Sequence, residues 1–117
     1  MENNKFMSLV YADDIGLVMQ GGVSEITIEE PYKAIITPKP GDTWTPKEIN
    51  ANDLRSVTSG CTLFVNVKRN EFLTNTYGVK ANDEISFLDG KMYFTDMFSG
   101  EDKRIDIHDL KYISTEI

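Results

Sequence analysis

The stretch EISFLDGKMYFT, residues 84–95, decides the fold class of this chain. Its Asp-Gly pair is the favoured sequence for a two-residue type I′ hairpin turn, because both turn positions need a positive φ. That turn implies a register in which Phe87 faces Met92 and Ile85 faces Phe94. The four apolar side chains then share one face of the two strands, so the stretch predicts an antiparallel β-hairpin with one buried face.

A second turn at residues 99–102 predicts a third strand beside this hairpin. A four-residue loop there pairs Phe94 with Ile107. Asp96 would then point into the core opposite Ile105. A β-bulge near Asp96 is the favoured solution, because bulges re-aim a side chain beside a turn. A buried, hydrogen-bonded carboxylate is the alternative.

The segment HDLKYIS, residues 108–114, predicts one helical turn followed by a short final strand. A strand, a one-turn connector and a closing strand are the way many SH3-like small barrels end. Residues 84–114 therefore resemble the last part of such a barrel. The resemblance concerns architecture alone, because small barrels carry many unrelated functions.

Further strands are predicted upstream, together with one short helix. Thr45 can cap a helix, Pro46 suits its first position and Glu48 completes a capping box, which predicts one or two helical turns ending near Leu54. The predicted strands are residues 6–11, 15–19, 23–28, 33–37, 61–68 and 72–76. Turns are predicted at 20–22 and at Arg69-Asn70, and residues 77–83 are predicted to form a loop.

The predicted fold class is mainly β: a small antiparallel barrel (SH3-like) or a sandwich of eight or nine short strands, with one short helix. The chain has 117 residues, which predicts a single domain over residues 1–117. A chain of this length buries roughly two-thirds of the surface that it exposes when unfolded, so its core suffices without disulfides.

Charge and cysteine content limit the classes of partner and compartment. The formal net charge is −7, from 12 basic and 19 acidic residues. The acidity is spread over both halves, which disfavours general binding to nucleic acid or to an anionic membrane. Cys61 is the only cysteine, so no disulfide can form within the chain. No signal peptide and no apolar run of membrane-spanning length is visible, and we expect a cytoplasmic location.

The segment LVYADDIGLV, residues 9–18, resembles the Tyr-x-Asp-Asp hairpin of reverse transcriptases. The resemblance implies that Asp13 and Asp14 would hold catalytic metal ions in a tight turn. It covers about ten residues, and only ten residues precede Tyr11, too few for the further metal-binding aspartate of a polymerase palm. A plain β-turn is the favoured interpretation, because aspartate is a preferred turn residue.

The candidate binding surface is the outer face of the hairpins in residues 84–108. Polar and aromatic side chains alternate there with the buried ones, and Trp44 joins them because tryptophan is over-represented at interface hot spots. A solvated sheet face, with Trp44 packed in the core, is the alternative. The predicted contact residues are Ser86, Tyr93, Thr95, Arg104, Asp106, His108 and Trp44.

The absence of catalytic motifs favours a non-enzymatic function. No nucleophile elbow, phosphate-binding loop or dinucleotide fingerprint is present, and a single histidine cannot build a His-rich zinc site. We therefore predict a protein-interaction or assembly module without cofactor or bound metal, such as a small structural subunit of a phage-like particle, that binds a protein partner or itself. The alternatives are an acidic inhibitor that mimics nucleic acid, and a metal-dependent enzyme using Asp13 and Asp14.

Overall fold

The computed structural model describes residues 6–115, and it confirms a mainly β protein. Every strand pairing within that range is antiparallel. Three-residue 3₁₀ turns lie at Ala51–Asp53 and Ile107–Asp109. The strands are β1 Met7–Ala12, β2 Leu17–Glu29, β3 Lys33–Pro38, β4 Lys47–Asn50, β5 Leu54–Ser59, β6 Leu63–Lys68, β7 Thr74–Val79, β8 Ile85–Leu88, β9 Lys91–Thr95, β10 Asp102–Asp106 and β11 Leu110–Ser114.

The long strand β2 organises the sheet. Its first half pairs with β1, and its second half pairs with β11 on one edge and β3 on the other. From β1 the sheet continues through β5, β8 and β9 to β10, and from β11 it continues through β6 to β7. These two leaves curl toward each other and form a half-barrel, within the predicted class of a small barrel or sandwich.

Alternate residues of the strands supply the core between the two leaves. Leu9, Ile26, Ile85 and Ile113 are fully buried, and they come from β1, β2, β8 and β11. Side chains alternate between the two faces of a strand, so each of these strands leaves its other side chains on the outer surface. That outer surface carries the candidate sites. Among the described residues no helix has the length and apolar composition needed to cross a membrane.

The β8–β9 hairpin is confirmed in the predicted register. Phe87 pairs with Met92 and Ser86 with Tyr93. Asp89 and Gly90 have φ angles of 53° and 77°, the two positive values that a type I′ turn requires. The predicted helical turn followed by a short strand over residues 108–114 is also confirmed, because the 3₁₀ turn at residues 107–109 leads into β11.

The predicted register between β9 and β10 is wrong by four residues. Phe94 pairs with Lys103 rather than with Ile107, and Thr95 pairs with Asp102. The connecting loop therefore spans residues 96–101. A shift of four residues keeps each side chain on its predicted face, since the strand period is two.

Asp96 explains the longer loop. It is a buried, hydrogen-bonded carboxylate, the alternative that the sequence left open, and not part of a bulged strand. One carboxylate oxygen accepts a hydrogen bond from Gly78 N at 3.1 Å, and the other accepts bonds from Ser99 Oγ at 2.9 Å and Ser99 N at 3.2 Å. Met97 N also donates to the carbonyl of Gly78 at 2.8 Å. Because Gly78 lies in β7, these bonds connect the two leaves of the sheet.

The ionisation of Asp96 depends on the same contacts. Burial acts to raise the pKa of this carboxyl, but the hydrogen bonds from Gly78, Ser99 and the backbone of Phe98 outweigh it. The net effect is a pKa below the ordinary value, because donors directed at a carboxylate favour its charged form. The loop therefore holds Asp96 as a carboxylate.

The helix predicted to begin at Thr45 is wrong. Lys47–Asn50 forms β4 instead, and Ile49 pairs with Ala34 of β3. Only residues 51–53 make a helical turn, with Asn50 Oδ1 accepting from Asn52 N at 2.8 Å. Pairing with β3 and burial against the core outweigh the local capping signal at Thr45, Pro46 and Glu48.

Two predicted turns differ from the structure. The strands predicted at 15–19 and 23–28 are one continuous strand, β2, which passes through Gly21 and Gly22 with an irregularity in its pairing to β1. The β6–β7 turn is wider than predicted, because Val67 pairs with Asn75 rather than with Phe72. Residues 77–79, predicted as loop, belong to β7.

Candidate functional site

Three of the predicted contact residues form a row across the outer face of β8, β9 and β10. Ser86 pairs with Tyr93, and Tyr93 pairs with Arg104. Thr95 follows Tyr93 on the same face, and its hydroxyl donates to Asp102 Oδ1 at 2.8 Å. Tyr93, Thr95 and Arg104 are exposed and Ser86 is half-buried. The structure therefore brings these four residues together on one surface.

Asp106 lies at the other end of that face. Its carboxylate is 3.6 Å from Lys91 Nζ on the paired strand, and both side chains are substantially exposed. An exposed pair of this kind contributes about 0–1 kcal/mol. Asp106 therefore extends the row but adds little stability to it.

His108 leaves the row, because β10 ends at Asp106 and residues 107–109 turn away. Its ring Nε2 is hydrogen-bonded to the hydroxyl of Tyr32, and the two ring centroids are 4.3 Å apart. Tyr32 has a φ of 110°, a conformation that costs a non-glycine residue roughly 1–3 kcal/mol. The histidine thus holds a strained tyrosine that the sequence did not single out.

Tyr32 and His108 border an open groove of about 660 Å³. Arg55 lies in its wall, with Nη1 donating to the carbonyls of Asn52 and Leu54 at 2.9 Å each. The groove combines both signs of charge with apolar surface, so it is suited to a polar contact. Its lining is Tyr32, Asn52, Arg55, Phe87, Leu88, Asp89, Gly90, Lys91, Asp106 and His108.

Trp44 lies apart from the row of Ser86, Tyr93 and Arg104, in the loop before β4. It is half-buried and packs against the core, while its Nε1 donates to Asp42 Oδ2 at 3.0 Å. Trp44 therefore packs against the core and keeps a partly accessible edge, and its role as a partner contact stays a prediction.

Asp13 and Asp14 form the turn between β1 and β2. Asp13 Oδ1 accepts hydrogen bonds from the backbone N–H groups of Ile15 and Gly16 at 2.9 and 3.0 Å. This aspartate turn accounts for the residue type without a metal ion. Within residues 6–115 no three His, Cys, Asp or Glu side chains converge in the way that a metal site requires.

A site that the sequence reasoning missed is the outer face of the β1–β2 hairpin. Ile15, Leu17 and Met19 are 96%, 70% and 73% exposed. Leu17 and Met19 pair with the half-buried Ala12 and Val10 of β1, so the surface around them is also apolar. The signal was present in the sequence, because residues 15–24 carry no charge in a chain of net charge −7. We call Ile15, Leu17 and Met19 the hairpin patch.

The comparisons with known proteins add no family. No protein-family model matches the chain, and no curated protein and no solved structure matches it either.

Proposed function

We propose that this chain is a non-enzymatic protein-interaction or assembly module that uses the hairpin patch as its principal contact. The observation that carries the proposal is the exposure of three large apolar side chains, Ile15, Leu17 and Met19, at the end of one hairpin. Single exposed apolar residues are ordinary, whereas a group of them on one surface marks an interaction site.

The patch has the chemistry of the centre of an interface. Charged residues are depleted at interface cores and methionine is enriched there. Residues 15–24 include Met19 and lack any charge. Asp13 and Asp14 at the turn would form part of a polar rim. A small structural or accessory subunit of a larger particle, phage-like or otherwise, needs a contact of this kind.

The row of Ser86, Tyr93, Thr95 and Arg104 is the second surface that we assign to partner contact. Tyrosine and arginine are the residue types that carry most binding energy at interfaces. This assignment extends to Asp106 and His108 at the groove and to the accessible edge of Trp44. The partner is a protein or another copy of the chain, and the module needs no cofactor.

The two alternative functions gain no supporting observation. An acidic inhibitor needs carboxylates gathered on one face, whereas the carboxylates of Glu30, Asp42 and Glu48 each lie 3.7–3.9 Å from a lysine ammonium that offsets their charge. A metal-dependent enzyme needs further ligands beside Asp13 and Asp14. We retain the interaction module as the proposed function.

A capture experiment with matched baits tests the proposal. The baits are the wild-type chain, the variant Leu17→Lys/Met19→Lys, and the control Phe72→Lys/Leu73→Lys, which places the same charges in the apolar β6–β7 turn. Phe72 and Leu73 are 88% and 51% exposed. We expect the wild type and the control to retain the same proteins from a lysate of the source, and the hairpin variant to lose them. Identical capture by all three baits would refute the hairpin patch as the contact.

A further inference from the structure

The first half of β2 has a free strand edge beside the hairpin patch. β1 occupies one edge of residues 17–23, and β3 occupies the opposite edge only from Val23 onward. In the described part of the chain no strand pairs with residues 17–21 on that second edge. An unpaired edge presents a row of backbone donors and acceptors that can pair with another strand.

The hydrogen bonding of the turn shows which groups point to that edge. Asp13 N donates to the carbonyl of Gly16 at 2.7 Å, so residues 13 and 16 are a hydrogen-bonded pair. Bonded and non-bonded pairs alternate along an antiparallel ladder. The pairs of Leu17 with Ala12 and of Met19 with Val10 are therefore non-bonded. The N–H and C=O groups of Leu17 and Met19 consequently point away from β1.

We propose that two copies of this chain associate by antiparallel pairing of this edge, with Leu17 of each copy opposite Met19 of the other. The inference rests on the proposed function and names its partner and its geometry. In this register the outward groups of Leu17 and Met19 form four backbone hydrogen bonds about a two-fold axis beside Val18. A contact in which each copy uses the same strand is closed and self-complementary.

Charge favours a second copy at this edge. Each copy has a net charge of −7, and residues 15–24 are uncharged, so the two copies approach there without opposing like charges. The same register brings Asp14 of one copy to the end of the free edge, where Lys39 N of the other copy donates to the carbonyl of Gly22 at 2.7 Å. The side chains of Asp42 and Lys39 both lie against Gly22, with Asp42 Oδ2 3.0 Å and Lys39 Cδ 3.6 Å from the position of an added Cβ, and the two form an ion pair with each other. Both signs of charge are therefore present at each end of the paired segment, and its uncharged centre is what favours a second copy.

The apolar side chains fit the same arrangement. Leu17 and Met19 of the two copies form one continuous apolar strip on the outer face, and Ile15 covers Gly21 of the other copy. A Cβ added at Gly21 would meet nothing closer than Ser8 Oγ at 3.9 Å, so the space above this glycine is open. Six side chains that each bury on the order of 100 Å² form an interface at the low end of the size range. We therefore expect a reversible dimer that forms with increasing concentration.

Sedimentation and amide exchange of the full chain test the proposal together. We expect the mass to rise from 13.3 kDa toward twice that value as concentration increases to about 1 mM. The amides of Leu17 and Met19 should become protected from exchange in parallel, while the amide of Val18, which faces β1, is protected at every concentration.

Three variants separate backbone pairing from simple apolar contact. Met19→Pro removes an outward N–H and no bond within the chain, a position where proline is tolerated in an edge strand. We expect it to weaken dimerisation at least tenfold, whereas Met19→Val, which keeps the N–H, should stay within about threefold of the wild type. Leu17→Glu keeps the backbone unchanged and should also abolish the dimer, while Phe72→Glu at the β6–β7 turn should not.

Each of the following outcomes overturns the inference that two copies pair along this edge. Dimers that leave the Leu17 and Met19 amides unprotected, or that tolerate Met19→Pro, exclude edge pairing but leave the proposed function intact. A chain that stays monomeric at about 1 mM excludes self-association. The proposed function is then decided by the capture experiment alone, because that experiment detects a different protein as partner.

Discussion

Removing the Asp96 carboxylate should destabilise the protein more than any other single change to a charged side chain. In Asp96→Ala the buried N–H of Gly78 loses its partner, while the Ser99 donors lie at the exposed surface and can bind water. A stranded buried donor costs about 1–3 kcal/mol, and losing hydrogen bonds to a charged acceptor adds to that cost. We expect a loss of about 2–4 kcal/mol in the free energy of unfolding.

Urea unfolding at pH 7 measures this loss, and amide exchange at Gly78 locates it. Asp102→Asn is the matched control, because Asp102 accepts one hydrogen bond from Thr95 on an exposed face. It should change stability by less than about 0.5 kcal/mol. An Asp96→Ala protein that unfolds within about 0.5 kcal/mol of the wild type, with Gly78 exchange unchanged, would refute the connection between the two leaves.

The pH dependence of Asp96→Asn provides an independent check. The pKa of Asp96 is lowered in the folded state, so its ionisation stabilises the fold above the ordinary value of 3.8. That contribution is lost as pH falls through the lowered pKa. Asp96→Asn carries no ionisable group at this position, so the stability difference between the two proteins should be constant near neutral pH and shrink below pH 3.8. A difference that does not change with pH contradicts the argument.

Three smaller predictions concern the turns and the groove. Gly78→Ala should cost about 1 kcal/mol or less, because the added Cβ would lie 2.8 Å from the ring of Phe98 and 3.0 Å from Met97 Cγ, two exposed side chains that can shift. A double-mutant cycle with Phe98→Ala should recover part of that loss. Gly90→Ala should lower the free energy of unfolding by about 1–2 kcal/mol, because alanine is strained at the positive φ of this position. Gly21→Ala should lower it by less, because Gly21 has open space around it and no positive φ. Urea unfolding midpoints of the two variants measure the difference. Tyr32→Phe should lose about 0.5–1.5 kcal/mol with the hydrogen bond to His108, and thermal unfolding that shows no difference from the wild type would contradict that bond.

The sequence predicted the parts of the fold that local chemistry determines. The Asp89-Gly90 turn fixes its own φ angles, and the register of β8 with β9 follows from the turn alone. The register of β9 with β10 does not follow in this way. It depends on bonds from Asp96 to Gly78, a residue in another leaf of the sheet. Likewise, the capping signal at Thr45 is overridden by pairing of β4 with β3.

The candidate sites show the same difference between features set by local sequence and features set by contacts between distant segments. The row of Ser86, Tyr93 and Arg104 was predictable, because a four-residue error in register keeps every side chain on its face. The groove was not predictable, since Tyr32, Arg55 and His108 come from distant segments that only the folded chain brings together. The hairpin patch was visible as an uncharged run, but its exposure depends on β3 leaving residues 17–21 uncovered.

The position of β11 between β2 and β6 has a consequence for synthesis on the ribosome. Within residues 6–115, β2 and β6 are joined only through β11, where Ile113 pairs with Ile26 on one side and Val65 on the other. Chains emerge from the amino terminus, and domains fold as the necessary segments become available. Until residue 114 has left the exit tunnel, β2 and β6 each expose an edge that has no strand to pair with. The nascent chain therefore passes through an interval in which two strand edges are open to pairing with other chains.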